Sequence, residues 1–159
     1  MGDADLLRTW QMRPHVQTWW GSFEPTTAEE FADPRVARWI VSYESMPFAY
    51  MQDYTVHGWE DHHFFHLPRD ARGIDQFIGL HDMIGRGLGP AFIAERVRTL
   101  FSEGAPAVAT DPDPANAQAI AAYKKAGFHV SGAPQDTRWG RILPMVIWRP
   151  AENTQIENP

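Results

Sequence analysis

The glycine-rich stretch at residues 83–90 could bind a phosphate group. It reads Met83-Ile84-Gly85-Arg86-Gly87-Leu88-Gly89-Pro90, and it lies between an apolar run and a run with helical periodicity. A strand, a glycine loop and a helix in this order direct backbone N–H groups at an anion, and the helix dipole adds to the attraction. Pro90 suits the first helical position, where its missing N–H would have no partner. A glycine loop alone is a weak signal.

An acidic residue inside an apolar strand is the second chemical feature. Asp75 lies in the run Gly73–Leu80, where an unpaired carboxylate would be costly to bury. A carboxylate there could hold an ammonium group and take its proton, directly or through water, so that the amine can attack a carbonyl carbon. Spacing alone favours the structural alternative, in which Asp75 pairs with Arg72 or with a backbone turn.

A third feature is the pattern Asn116-x-x-Ala119-x-x-x-Tyr123-x-x-x-Gly127-Phe128. Asn116 and Tyr123 are seven residues apart, so a helix would place them on one side, two turns apart. A tyrosine packed in the core would give the same pattern.

The histidines of His62-His63-Phe64-Phe65-His66 do not predict a metal site. Adjacent histidines in an extended chain point to opposite sides, and no helix with zinc-ligand spacing follows them. The pair Phe64-Phe65 would line a pocket or pack in the core.

Alternating helical and strand patterns position these residues. Helices are expected over 6–20 with a break at Pro14, from Thr26 or Thr27 to before Pro34, over 91–101 and over 115–126. Strands are expected over 38–43, 48–56, 73–80, 107–110, 128–131 and 142–148. Residues 58–72 and 132–140 are expected to be loops. One domain over residues 1–150 is expected, followed by a disordered tail at 151–159.

Composition and charge narrow the functional class. The chain has no cysteine, which excludes disulfides, zinc–thiolate sites and a cysteine-linked acyl intermediate. It has no apolar run of about 20 residues, as a membrane span needs, and no secretory signal pattern, so a cytoplasmic location is expected. No Lys or Arg occurs over residues 39–68, although Glu44, Asp53, Glu60 and Asp61 do. Such a surface disfavours nucleic acid and favours a cationic ligand, or it is simply a solvated acidic face.

The glycine loop and the Asn116–Phe128 pattern together resemble the acyl-CoA site of the GNAT superfamily of N-acetyltransferases. From Trp10 to about Trp148 the chain is similar to the aminoglycoside 6'-N-acetyltransferase branch. The segments that carry this resemblance are residues 15–21, 48–54, 72–76, 85–89, 110–114 and 122–128. The resemblance implies an α/β fold with a mixed, twisted central sheet, helices on both faces and a V-shaped split between its central strands. Relatives begin with an additional strand, which is absent or very short here.

The resemblance also implies the residues that bind acetyl-CoA. The phosphates would lie on the loop Ile84 to Pro90, with Arg86 adding positive charge. The pantetheine arm would pair with the backbone of Phe77 and Ile78, bond to Asn116 and pass close to Ala119. Tyr123 would face the sulfur and protonate the departing thiolate.

On the acceptor side, the resemblance implies that Asp75 deprotonates the attacking amine. Its relatives bind the substrate at positions that match Trp20, Gln52, Asp61 and Asp111. The structural alternatives are a core tryptophan, a solvated loop for Asp61 and a turn residue for Asp111.

These expectations together describe direct acetyl transfer from acetyl-CoA to a primary amine, without a metal. The most favoured acceptor is the 6'-amine of an aminoglycoside, by a protein that is a monomer or a homodimer. The alternatives are another amine or hydroxylamine, such as a siderophore precursor, a polyamine or a protein N-terminus, and a CoA-binding domain without catalysis.

Overall fold

The computed structural model describes residues 2–20 and 26–151. Its helices are α1 (Asp3–Gln11), α2 (Pro14–Trp20), α3 (Ala28–Ala32), α4 (Leu88–Ser102) and α5 (Ala117–Lys125). Its strands are β1 (Val36–Tyr43), β2 (Met46–Thr55), β3 (Arg72–Ile78), β4 (Ala107–Thr110), β5 (His129–Val130), β6 (Gln135–Thr137), β7 (Gly140–Ile142) and β8 (Met145–Trp148). Short 3-10 turns lie at Val56–Gly58 and His81–Met83.

Six strands form one mixed sheet in the order β1-β2-β3-β4-β8-β5, and β6 and β7 form a separate hairpin. The pair β3–β4 is parallel, and the other four pairs of the large sheet are antiparallel. The strands β3 and β4 pair only at Arg72–Val108 and Gly73–Ala109. Beyond Gly73, β3 continues to Ile78 without β4 beside it. The sheet therefore splits open between these two strands after Gly73 and Ala109.

Helices cover both faces of this sheet. On one face α1 and α2 pack through Leu7, Trp10 and Val16 against Tyr50 and Phe77. On the other face α4 packs its apolar residues against β2 and β3, and α5 lies beside α4. The buried residues of this second layer include Met51, Ile74, Ile93, Val97, Leu100 and Tyr123. The predicted fold class, a mixed sheet between two helical layers, is confirmed.

Local sequence explains where several elements begin and turn. Thr27 caps α3 in a reciprocal capping box with Glu30, as the Thr-x-x-Glu spacing predicts. The two residues between β1 and β2, Glu44 and Ser45, both have positive φ values of 48° and 66°. A tight two-residue hairpin needs that conformation.

The structure corrects three expectations. Residues 132–140 do not form a plain loop, because β6 and part of β7 lie there. Helix α4 begins at Leu88 rather than at residue 91, so Pro90 is its third residue and not its first. Its lack of an N–H still costs nothing there, because the first turn of a helix has no intrahelical acceptors.

The first described residues of the chain are helical. Within residues 2–20 no strand precedes α1, which is helical from Asp3. Disorder is expected for the tail at residues 151–159, and of these only Ala151 belongs to the described residues. No helix among the described residues combines the length and the apolar character required to cross a bilayer.

Candidate active site

A cleft of about 1450 Å³ occupies the split between β3 and β4. It extends from the glycine loop, past the N-terminal half of α5, to the loop that precedes β3. Of the residues predicted to bind or react, it is lined by Trp20, Gln52, Asp75, Phe77, Ile78, Ile84, Gly85, Gly87, Gly89, Pro90, Asp111, Asn116, Ala119 and Tyr123.

One end of the cleft has the geometry of an anion site. Gly85 and Gly87 have φ values of 76° and 78°, and Gly87 is the N-cap of α4. An added Cβ at either glycine would meet no atom within 4 Å, so the loop is open to the cleft. The first N–H groups of α4 have no intrahelical acceptor, and they carry the positive end of the helix dipole. This end suits a diphosphate.

Two predicted members of this loop lie elsewhere. The guanidinium of Arg86 is exposed and contacts the sulfur of Met83 at 3.0 Å, and Arg86 does not line the cleft. Leu88 is partly buried against the main core and does not line the cleft either.

The middle of the cleft is narrow and can hold an extended chain. Residues Ile74 to Ile78 of β3 have no β4 partner. The carbonyl oxygen of Ile78 accepts a hydrogen bond from His15 Nε2 at 3.0 Å. On the opposite wall, Asn116 Oδ1 caps α5 by accepting from the N–H of Ala119 at 3.1 Å. The amide NH₂ of Asn116 is the part of this side chain that is left for a ligand.

The other end of the cleft is built around Asp75. Its Oδ2 accepts from Gln52 Nε2 at 2.8 Å, and Gln52 Oε1 accepts from the hydroxyl of Tyr50 at 2.9 Å. These two bonds orient the Gln52 amide. Arg72 donates to Asp53 rather than to Asp75, at 2.6 Å, so the alternative in which Asp75 pairs with Arg72 is wrong.

Asp75 and Asp111 face one another across the split. Burial raises the pKa of Asp75 to about 8, and the charge of Asp111 and a hydrogen bond between the two carboxyl groups act in the same direction. The hydrogen bond from Gln52 opposes this rise. The carboxyl group of Asp75 is therefore largely protonated near neutral pH.

Tyr123 is buried beside this pair, with 4% of its surface exposed. Burial raises the pKa of its phenol above the ordinary value, and the charge of Asp75 adds to the effect. Hydrogen bonding with Thr110 and Gln76 acts against it. The phenol is thus a neutral hydrogen-bond donor at physiological pH, and its ring also packs edge-on against Phe128 at 5.4 Å.

The acceptor end is bounded by aromatic rings. Trp20 packs edge-on against Phe77 and Tyr50, at 4.8 Å and 5.8 Å between ring centroids. Across the cleft, Trp139 at the tip of the β6–β7 hairpin lies 5.0 Å from His62.

Comparison with known families identifies the protein family to which this cleft belongs. The chain matches the family model for an acetyltransferase (GNAT) domain over residues 1–135. The chain belongs to the GNAT acetyltransferase family. The GNAT fold and the family predicted from the sequence are thereby confirmed, and the protein is an N-acetyltransferase.

Its relatives in this family include aminoglycoside N(6')-acetyltransferase type 1 of Klebsiella pneumoniae. That protein is 32% identical over 146 residues, which are 82% of this chain and 71% of the relative. A kanamycin resistance protein of Rhizobium radiobacter is 40% identical over 63 residues, 39% of this chain and 58% of the relative. The solved structure of AAC(6')-Ib in complex with paromomycin and acetyl-CoA has a TM-score of 0.84 at 30% identity, over 98% of this chain and 94% of that one.

In this GNAT domain, Asp61 lies apart from the other predicted acceptor residues. Its carboxylate is 61% exposed, does not line the cleft and pairs with Arg138 Nη1 at 2.8 Å. Arg138, on the β6–β7 hairpin, does line the cleft.

The histidine segment also differs from its prediction. The rings of His62 and His63 do not point to opposite sides but stack, with centroids 4.4 Å apart and planes 22° apart. They can do so because residues 59–66 form a series of turns rather than an extended chain. Phe64 is fully buried and Phe65 is 42% exposed, so only the first packs in the core. Within residues 2–20 and 26–151, no three His, Asp or Glu side chains group as a metal site would need.

Several residues of the cleft escaped the sequence analysis, namely Tyr50, Tyr54, Arg138 and Trp139. Each reaches the cleft through contacts between distant elements, which no local pattern encodes. For Tyr54 the sequence offers one signal, which is the glycine at position 73. Gly73 lies directly opposite Tyr54 on the adjacent strand, and the Tyr54 ring fills the space that a Cβ of residue 73 would need.

Proposed function

We propose that this protein transfers the acetyl group of acetyl-CoA to the 6'-amine of an aminoglycoside. The observation that carries the proposal is the pair Asp75–Asp111 at the closed end of a cleft whose other end is an anion cradle. The similarity to the two aminoglycoside-related proteins supports the same acceptor.

The residues of the cleft fit acetyl-CoA, which supplies the acetyl group as a thioester. The Gly85–Gly89 loop and the start of α4 would hold the diphosphate by backbone N–H groups. The free edge of β3 and the NH₂ of Asn116 would bind the pantetheine amides. The wall of α5 at this point is Ala119 and Ala122, whose small side chains leave room for the arm.

The acceptor side fits a polycation. At neutral pH an aliphatic amine is an ammonium ion, which the acidic end of the cleft at Asp75 and Asp111 attracts. Asp75 takes the proton of this ammonium, because a carboxyl with a pKa of about 8 is a stronger base than an ordinary aspartate. The freed electron pair of the nitrogen then attacks the thioester carbonyl carbon. As the C–S bond breaks, CoA leaves as the thiolate, the nitrogen releases its second proton to solvent, and Tyr123 donates a hydrogen bond to the sulfur.

A pair of acceptors tests the proposal directly. Neomycin and paromomycin differ only at the 6' position, where the first has an amine and the second a hydroxyl group. Release of CoA from acetyl-CoA by the purified protein should occur with neomycin and not with paromomycin, and mass spectrometry should place one acetyl group on the 6'-nitrogen. Expression of the gene should also raise the inhibitory concentration of kanamycin, tobramycin or amikacin.

Other outcomes would contradict the proposal. Equal CoA release with both compounds would move the acetylated amine away from the 6' position. Release with spermidine but with no aminoglycoside would make a polyamine the acceptor. Tight acetyl-CoA binding without turnover on any amine would indicate a CoA-binding domain.

A further inference from the structure

His63 contacts one of the two carboxylates that the proposed reaction uses. Its Nε2 lies 2.8 Å from Asp111 Oδ2, and the two side chains are 6% and 18% exposed. Neither ring nitrogen of His63 has a well-aligned hydrogen bond within the described part of the chain. What the imidazole offers Asp111 is therefore mainly its positive charge when protonated.

Packing, rather than hydrogen bonding, holds this ring in place. His62 stacks on one side of it, and the Phe64 ring lies 4.5 Å away. Phe64 is fully buried and anchors the loop to the core beneath β4 and β8. The Trp139 ring lies 5.8 Å from His63 and shields it from the solvent side.

The charges around His63 make it the natural counter-ion for Asp111. The charged and titratable groups that face this site from the surrounding elements are Asp61 and His62 on the same loop, Tyr54 on β2, Asp75 on β3, Asp111 after β4, Tyr123 on α5 and Arg138 on the hairpin. Arg138 is engaged with Asp61. The His62 imidazole is kept neutral, because burial lowers its pKa to about 4 and the charge of His63 acts in the same direction.

We propose that His63 is a positioning residue whose contact with Asp111 holds that side chain as the group that binds the acceptor ammonium, so that Asp75 is the carboxylate that accepts its proton. This inference rests on the proposed function and assigns different roles to Asp75 and Asp111. The N–H bond of the ammonium breaks, its proton passes to Asp75, and the electron pair stays on the nitrogen. Asp111 holds the ammonium in place.

The charge of His63 can be removed without removing its bulk or polarity. His63→Gln should raise the pH at which Asp75 titrates, because a lost cation next to two carboxylates favours their protonated form. The expected shift is about one pH unit, the lower end of the range for an opposite charge near a carboxyl group. The acid limb of kcat/KM for neomycin should move to higher pH by the same amount. His129→Gln, at an exposed histidine of β5, is the matched control and should leave both unchanged.

A readout that needs no turnover separates this inference from the proposed function. The ¹³C carboxyl resonance of Asp75 in the ligand-free protein reports its titration directly, in the parent and in each variant. If the parent acetylates no aminoglycoside, the proposed function fails, and this titration still decides the role of His63.

Asp111→Asn provides the second arm of the test. If His63 acts mainly through Asp111, adding His63→Gln to Asp111→Asn should shift the Asp75 titration clearly less than His63→Gln does in the parent, and an equal shift in both backgrounds would overturn the inference. His63→Asn replaces His63→Gln in these measurements if the latter does not fold. An Asp75 titration that is the same in the parent and in the His63 variant would overturn the inference, even if activity fell, since lost packing alone would lower kcat without moving the pH limb.

Discussion

At the residue scale, the site depends on a carboxyl group that burial and a like charge make unusually basic. Burial and the neighbouring Asp111 oppose the ionisation of Asp75, and the hydrogen bond from the Gln52 amide favours the charged form. An ordinary aspartate, with a pKa near 3.9, would bind an ammonium but would be too weak a base to deprotonate it. Placing a second acid nearby thus converts a binding group into a base.

The pH dependence of the reaction should report this group. Because Asp75 must be ionised to accept a proton, kcat/KM should fall as pH is lowered through about 8, and level off above that value. Asp75→Asn keeps the size of the side chain and should lower kcat/KM by about 100-fold or more and abolish this limb. Acetyl-CoA affinity, measured by calorimetry, should hardly change. Near-parent turnover in a folded Asp75→Asn protein would return this residue to a structural role.

Tyr123→Phe should separate hydrogen bonding from packing. The variant keeps the ring that packs on Phe128, so the melting temperature and acetyl-CoA affinity should stay close to the parent. The raised pKa of the phenol makes complete proton transfer to a thiolate unfavourable, so its contribution is a hydrogen bond to the sulfur as charge develops. We expect kcat to fall about tenfold, or ~1.4 kcal/mol in the barrier. Full activity would make Tyr123 only a wall of the pantetheine channel.

At the element scale, the glycine loop and the start of α4 act together. Gly87 has a left-handed backbone and provides the N-cap of α4 at the same time, so the loop turns sharply and the helix N–H groups face the cleft. A side chain here would oppose that backbone conformation and enter the space that the phosphates require.

Gly87→Ala tests this role, and Gly104→Ala is its matched control. Both glycines have positive φ with no atom within 4 Å of an added Cβ, but Gly104 lies in the turn after α4, away from the cleft. Both variants should lose about 1–2 kcal/mol of stability, the cost of a left-handed non-glycine residue. Only Gly87→Ala should also raise the Kd of acetyl-CoA. Equal cofactor affinities in the two variants, measured by calorimetry, would argue against the phosphate cradle.

Elements with strong local signals could be predicted from the sequence, and contacts between elements could not. The glycine loop, the Asn116-capped α5 and the Thr27-capped α3 each follow from residues within one turn of each other. The β6–β7 hairpin was missed because its strands have three residues each, too short for an alternating pattern. The same limit applies to the site: Asp75 and Tyr123 were visible in local patterns, whereas the contact of His63 with Asp111 joins residues 48 positions apart.

At the scale of the whole molecule, one buried acid ties together the elements behind the cleft. Asp53 on β2 is fully buried and accepts hydrogen bonds from Trp39 on β1, Arg72 on β3 and Arg96 on α4, at 2.8, 2.6 and 2.9 Å. Burial alone would raise the pKa of Asp53, but the bonds from Arg96, Arg72 and Trp39 outweigh it, so the pKa is lowered. Because Arg72 begins β3, this network also fixes the strand that presents Asp75.

Asp53→Asn should destabilise the protein strongly, because two arginines would lose their counter-ion in a buried site. Breaking a buried ion pair from one side costs about 3–5 kcal/mol, which urea or thermal unfolding would detect. The pKa of Asp53 is lower in the folded protein than in the unfolded chain. Its carboxylate therefore stabilises the fold at pH values above the unfolded-state pKa, and this stabilisation is lost as pH falls through the folded-state pKa. As pH is lowered, the free energy of unfolding should therefore fall less in Asp53→Asn than in the parent.

The exposed pair Asp136–Arg141 supplies the contrast for this last experiment. Its N–O distance of 3.0 Å is only slightly longer than those of the Asp53 contacts, but its side chains are 81% and 56% exposed. Asp136→Asn should change the free energy of unfolding by no more than about 1 kcal/mol, the usual limit for a solvated pair. Equal losses in the two variants would mean that burial adds nothing to the Asp53 network, and that β3 is held in place by its apolar contacts alone.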